Sequence, residues 1–340
     1  MSSYLRQIYN KTWHFELNFF GLAHLFPNIR LYSISFGYWL QIFPKEAQSQ
    51  TVPIIARDGT KLDYLPLKTS EIRLFILDPG SNTDALSGRI QQSSWGTDYE
   101  ALSYVWGDVQ DLTTICIDGH SVPVTKSLWT ALVHLRYPGR SRKLWIDYIC
   151  INQEDIAERS QQVAKMGLIY EQAKSVVIWL GPSTLYSPIG MDIIRYFANE
   201  NKPQDRPVWQ AYSQSQAYQG LRDVLTRKWF ERMWVVQEIG RSHYVKLICG
   251  RDFVEWQSTD FTAVRRFIRM VKYAEILPEW TKLGLDAVDM RPLLEMLDFQ
   301  DVNQFSKSWG SCTRSGPDLL DIAHTMRYKK CSDPRDMIFA

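Results

Sequence analysis

Apolar and polar positions first settle into a regular pattern at Glu71, where "EIRLFIL" reads as a strand. A polar stretch, "DPGSNTDALSGRIQQSSWG", reads as a loop, and "YEALSYVW" as a second strand. "TTICIDGHSVPVT" places Asp118-Gly119 between two alternating runs, which predicts a hairpin with a type I′ turn, because both central residues need positive φ. Leu128, Ala131, Leu132 and Leu135 recur at helical spacing after Thr125, a plausible N-cap, so "KSLWTALVHLRY" is an amphipathic helix. "KLWIDYICI" is apolar on both alternating faces apart from Asp147, the pattern of a strand covered on both sides in a parallel sheet. Asp155, followed three residues later by Glu158, opens a helix whose inner face carries Val163, Met166, Ile169 or Tyr170, and Ala173, and "SVVIWLGP" is the next strand.

Beyond Pro182 the pattern predicts helices at "IGMDIIRYFANE", "SQAYQGLRDVLTR" and "WFERMWVVQEIG", a strand at "HYVKLICG" and a helix at "STDFTAVRRFIRMVKYAEI", with Gly240 and Gly250 as stop signals. Strand, helix, strand, helix, strand in succession predicts an α/β fold, an open, mostly parallel sheet flanked by helices, with an added β-hairpin and helical insertions. The expected organisation is an aromatic N-terminal extension over 1–65, a central domain over 66–250 and a helical C-terminal region over 251–340. "SDPRDMIFA" ends on an apolar pair before Ala340, so the chain is expected to be cut short.

Composition narrows the function classes. At 340 residues the chain can bury a large core, and a formal charge of +2 supplies no global field toward nucleic acid or anionic lipid. The five cysteines, Cys116, Cys150, Cys249, Cys312 and Cys331, lack CxxC pairing, which points to a reducing compartment and no zinc. "LYSISFGYWLQIF" (Leu31 to Phe43) is too short for the about 20 apolar residues of a membrane span. It reads as an appended helical or partner-binding segment, against a membrane-surface contact or a gene-model error.

The chain has no GxGxxG after a strand, no GxxxxGK[ST], no HExxH, no GxSxG and no EF-hand loop. His134 reads as a packing or surface residue rather than a base. "RYPGRSRK" (Arg136 to Lys143), the densest basic cluster, reads as a solvated loop, with a phosphate-binding patch as the alternative.

Four segments, "YEALSYVWGD", "LWIDYICINQEDIAERSQQVAKMGLIYEQAKSVVIWLG", "RKWFERMWVVQEI" and "DPRDMIFA", resemble the successive blocks of the fungal heterokaryon incompatibility (HET) domain, over roughly Ile72 to Gly250 with the last block beyond. The resemblance implies a cytoplasmic self/non-self recognition protein that triggers programmed cell death when incompatible hyphae fuse. It also implies an incompatibility partner or self-association. A weaker similarity connects the same blocks to Toll/interleukin-1 receptor-type (TIR) domains, some of which cleave NAD. "LSY" with Ser103 and Tyr104 resembles the end of their first strand, Asp147 the end of the second, "VVIWLGP" the third, and "WVVQE" their Trp and Glu on one helix, here Trp234 and Glu238. What this similarity implies is a TIR-like core with NAD as substrate and no resident cofactor.

The chemistry can be stated from the residues. Breaking the ribosyl–nicotinamide bond builds positive charge on the ribose, and the leaving nicotinamide needs no proton, so one placed carboxylate suffices. Glu238 is the catalytic candidate. Trp234 would be an apolar wall and Asp147 part of the rim, while Tyr104, Trp106 and Gly107 would form a ligand-side loop beyond the strand. Lying just before Gly240, Glu238 is expected to face the negative end of its helix. Each residue also has a plainer reading. Trp106, Trp145, Trp179 and Trp234 can be core, Asp147 a cap, and Glu238 the partner of Arg241 or Arg232. The nearly fifty residues between "VVIWLGP" and "WFERMWVVQE" could remodel or close a pocket. Three functions stand side by side: an NAD-consuming enzyme, an adaptor that signals by oligomerising, and an inactive truncated chain.

Overall fold

The computed structural model describes residues 62–198, 211–240, 242–257, 284, 287–292 and 329–330. Nine strands form one sheet: β1 (Glu71–Leu77), β2 (Ser87–Ser94), β3 (Glu100–Tyr104), β4 (Leu112–Ile117), β5 (His120–Thr125), β6 (Arg142–Trp145), β7 (Ser175–Trp179), β8 (Tyr244–Cys249) and β9 (Asp252–Gln257). Their order is β5-β4-β2-β1-β6-β3-β7-β8-β9. Helices α1 (Lys126–Leu135), α2 (Asp147–Cys150), α3 (Ile156–Ala164), α4 (Met166–Gln172), α5 (Ser187–Ala198), α6 (Gln214–Leu225) and α7 (Val235–Gly240) connect them, with a 3-10 turn at Lys228–Glu231 before α7.

The α/β class stands, but the sheet is mixed. Pairings β2–β4, β6–β3, β3–β7 and β7–β8 are parallel, and β1–β2, β1–β6, β4–β5 and β8–β9 antiparallel. A continuous run of parallel strands, as expected, is confined to the block β6-β3-β7-β8. Two strands account for the difference. Ser87 to Ser94 looked like loop because it offers Gly, Ser and Gln, yet it pairs with β1 over seven residues. Arg89, Gln91 and Ser94 are exposed, and Gly88 lets the strand approach β1: a Cβ there would sit 2.5 Å from the Ile76 carbonyl oxygen and 2.6 Å from the Phe75 ring. Asp252–Gln257 had no assigned strand and closes the other end of the sheet against β8.

Local chemistry explains most element ends. Asp118 and Gly119 have φ of 50° and 82°, as the type I′ hairpin between β4 and β5 requires. The Thr125 hydroxyl accepts from the Leu128 amide and starts α1, and Asp155 accepts from Ala157 and Glu158 and starts α3. The single helix expected after Asp155 breaks at Lys165 into α3 and α4, with Met166, Ile169 and Tyr170 buried. "KLWIDYICI" is a strand only to Trp145, because the chain coils into α2 at Asp147.

Helices α5 and α6 lie within the insertion and cross where Gly190 meets Gly220: a Cβ on Gly190 would be 2.1 Å from the Gly220 carbonyl oxygen. Arg73, 1% exposed, anchors α3 to the sheet. Its Nη2 donates to Glu158 at 2.9 Å and to the Leu65 carbonyl at 2.7 Å, and Nη1 reaches the Cys150 carbonyl at 3.2 Å. Glu158, expected only as a helix-start residue, therefore has a long-range partner that spacing could not reveal. The helix expected from Ser258 and the aromatic run Leu31 to Phe43 lie outside the described residues. Among the described residues no helix is long and apolar enough to cross a membrane.

Candidate functional site

Within the parallel block the strand order, counted along the chain, is second, first, third, fourth: β6-β3-β7-β8. In sheets of this order ligands sit beyond the carboxyl ends of the strands, where the first and third part company. Here that point lies beyond Tyr104 and Trp179, which are register partners. A cleft of about 320 Å³ opens there, lined by Gly107, Asp108, Lys126, Ser127, Trp179 and Gly181 among others. Gly107 has φ of 78°, and a Cβ on it would lie 3.0 Å from Ser127 Cβ. The Ser127 hydroxyl donates to the Val105 carbonyl and fixes the loop after β3 against α1. His134 lies outside this arrangement: its Nδ1 contacts the Thr130 carbonyl and its ring packs 4.8 Å from Trp179.

Most of the other candidates meet beneath the loop. Ser103, fully buried, donates its hydroxyl to Glu238 Oε2 and accepts the Trp229 indole N–H at 2.7 Å. Arg232 Nη1 donates to the same Glu238 oxygen at 3.3 Å, and Nη2 lies 3.2 Å from Oε1 as an ion-pair contact without hydrogen-bond alignment. Glu238 is 1% exposed and Arg232 19%. The i to i+6 spacing looked wrong for a helical pair. The pair forms because Arg232 lies between the 3-10 turn and α7, outside both. The helix expected across "WFERMWVVQEIG" is thereby two pieces. Since α7 has six residues, Glu238 belongs to its first turn as much as its last, and the expected unfavourable end dipole has no lever.

Asp147, at the carboxyl end of β6, is partly buried. Its Oδ2 accepts from the Trp106 indole at 2.9 Å and its Oδ1 from the Tyr148 amide at 2.7 Å. Trp106 meets Tyr148 edge-on at 5.6 Å, so it is a wall residue with a polar handle. Burial pushes the Asp147 carboxyl up to about 6; Arg232 and the Trp106 bond pull it down, and Glu238 pushes it up. Burial works against the Arg232 charge, but Glu238 and Asp147 outweigh it and raise its pKa. Tyr104 is 1% exposed, and its hydroxyl has no hydrogen-bond partner among the described residues. Burial first, and Asp147 next, hold that phenol well above its usual range.

The structure thus joins Ser103 to Glu238 and Trp106 to Asp147, with Arg232 electrostatically coupled to both carboxylates and to Tyr104. Gly107 sits apart, in the cleft. Trp234 is half-buried against the core, and its carbonyl accepts from the Glu238 amide at 3.1 Å. Glu238 lines neither this cleft nor the larger one at the opposite end of the strands. Sequence reasoning left out Trp229 and considered Arg232 only as a pairing partner. The available signal was a cation inside an otherwise aromatic run, "KWFERMW". Among the described residues no group of three or more His, Cys, Asp or Glu could hold a metal ion.

Architecture and site together define an α/β protein with a parallel four-stranded block and a buried carboxylate–guanidinium cluster at its carboxyl ends. Residues 99–238 match the family described as Heterokaryon incompatibility protein (HET). Over 270 residues the chain is 31% identical to "Heterokaryon incompatibility protein 6, OR allele" of Neurospora crassa, covering 66% of this chain and 39% of that protein. The matched residues, 99–238, are those of a HET domain, and the chain spans about two fifths of the length of that curated relative. No solved structure matches it.

Proposed function

We propose that this chain acts in heterokaryon incompatibility, triggering programmed cell death on non-self recognition in the cytoplasm, and that its HET domain does so by hydrolysing NAD. The family match supports the process. For the reaction, the carrying observation is the convergence of Ser103, Tyr104, Asp147 and Glu238 at or just beyond the carboxyl ends of β3 and β6, with a cleft at the neighbouring switch point. The order β6-β3-β7-β8 also agrees with the proposed TIR-like core. In the reaction the ribosyl C1′–nicotinamide bond breaks, the nicotinamide ring nitrogen keeps the bonding pair, and water adds at C1′ to give ADP-ribose and a proton. Glu238 would face the positive ribose in the transition state, once Arg232 had swung from it.

The burial of Glu238 favours a second reading. A carboxylate 1% exposed and held by Ser103 and Arg232 can instead pin α7 to β3 in an adaptor that signals by self-association or through an incompatibility partner. The experiment is cellular NAD content after induced expression, with Glu238→Gln matched in level. Loss of NAD and death in wild type only, with both proteins folded, supports the enzyme. Equal death with NAD intact in both supports the adaptor.

A further inference from the structure

At the amino ends of the same parallel strands lies a larger cleft of about 810 Å³, within the range of small-molecule sites. The length of β3, roughly 13 Å at about 3.3 Å per residue, separates it from the carboxylate cluster. Its floor is fixed. Buried Arg142 is paired through Nε and Nη2 with Glu100, which also accepts from Ser175. On one wall Lys246 pairs with Glu255 at 2.6 Å. Those pairs neutralise themselves, which leaves the exposed cations Arg140, Lys143 and Lys174 facing the cleft with Asp98 as the remaining carboxylate in its lining. Among the described residues none of the three cations has a carboxylate within ion-pairing distance.

Arg140 is also held in place. The Tyr137 ring carries the Arg140 guanidinium at 4.4 Å and that of buried Arg142 at 4.9 Å, so the floor ion pair and the rim cation share one aromatic ring. A stacked guanidinium keeps its N–H fork for an oxyanion, while the two lysines supply mobile point charges. "RYPGRSRK", whose plainer reading was a solvated loop, thus forms one side of a concave, unneutralised site. We propose that this cleft binds a ligand carrying two or more phosphate groups, free or as a lipid headgroup, independently of the carboxylate cluster.

The test is calorimetric titration of the full chain with inositol hexakisphosphate, together with flotation on vesicles containing phosphatidylinositol 4,5-bisphosphate and on vesicles containing phosphatidylserine alone. Saturable binding is expected, weakened at least tenfold by Lys143→Glu with Lys174→Glu, and by Arg140→Glu. It should be unchanged by Arg222→Glu, which alters an exposed cation elsewhere, and by Glu238→Gln. Flotation with the bisphosphate lipid but not with phosphatidylserine would identify a lipid headgroup; titration without flotation, a free polyphosphate. Absence of both, or equal weakening by Arg222→Glu, overturns the proposal. Arg140, Lys143, Lys174 and Arg222 are exposed, and unchanged melting temperatures of their variants would show that these are folded.

Discussion

Two carboxylates share one guanidinium, and their surroundings give them different expected behaviour. Glu238→Ala leaves the largely buried Arg232 without its ion pair and removes the acceptor of Ser103, so a loss of about 3 kcal/mol in urea unfolding is expected. Glu238→Gln keeps an oxygen for Ser103 and should lose about 1–2 kcal/mol. Equal losses would mean that the charge contributes nothing. For Asp147 the sign runs the other way. Its folded carboxyl holds a proton up to about 6, against 3.8 without the fold's influence. Below the lower value both states are protonated; between the two only the folded state is, so stability falls as pH rises, by up to about 3 kcal/mol. Asp147→Asn can still accept from Trp106 and lacks that titration. The variant should therefore gain on wild type between pH 4 and 7, and parallel pH profiles would show that the carboxyl titrates normally.

Elements were legible where local chemistry decides them and illegible where a distant partner does. The Asp118-Gly119 hairpin, the Thr125 and Asp155 caps and the apolar runs of β1, β7 and β8 carry their own instructions, and each formed as read. In contrast, β2 is a strand because β1 offers a full edge and Gly88 fits under Phe75, facts that no window around Gly88 contains. Gly88→Ala should accordingly cost about 2–3 kcal/mol through forced separation of β1 and β2. Gly139→Ala, with nothing within 4 Å of the added carbon, should be close to neutral. A denaturation series that ranked them alike would remove the close-approach argument. The site divides in the same way. Asp147 stood out as the polar residue of an apolar run, and Ser103 and Glu238 through the resemblance to TIR domains, whereas the Arg232–Glu238 contact depends on the chain breaking between the 3-10 turn and α7.

At the scale of the whole molecule, a contact from far along the chain holds the segment that carries Arg232. Lys330 forms a parallel bridge with Arg232, its carbonyl accepts from the Met233 amide at 3.1 Å, and its ammonium pairs with Glu231 at 2.8 Å. Beside it Lys329, 4% exposed, donates its ammonium to the Phe230 carbonyl at 2.7 Å. These contacts fix the 3-10 turn from above while Trp229 and Glu238 fix it to Ser103 from below, so loosening the upper set should free Arg232 before the sheet responds. Lys329→Met removes a buried charged donor and should cost about 1–3 kcal/mol. Amide exchange should quicken across Arg232 to Gly240 and stay unchanged in β1, β2 and β6. The same variant separates the two readings of function. If Glu238 acts on NAD, it must leave Arg232 to do so, and a loosened turn should hasten NAD loss per molecule of folded protein. If Glu238 only pins α7 to β3, loosening the turn weakens the fold and NAD content does not change.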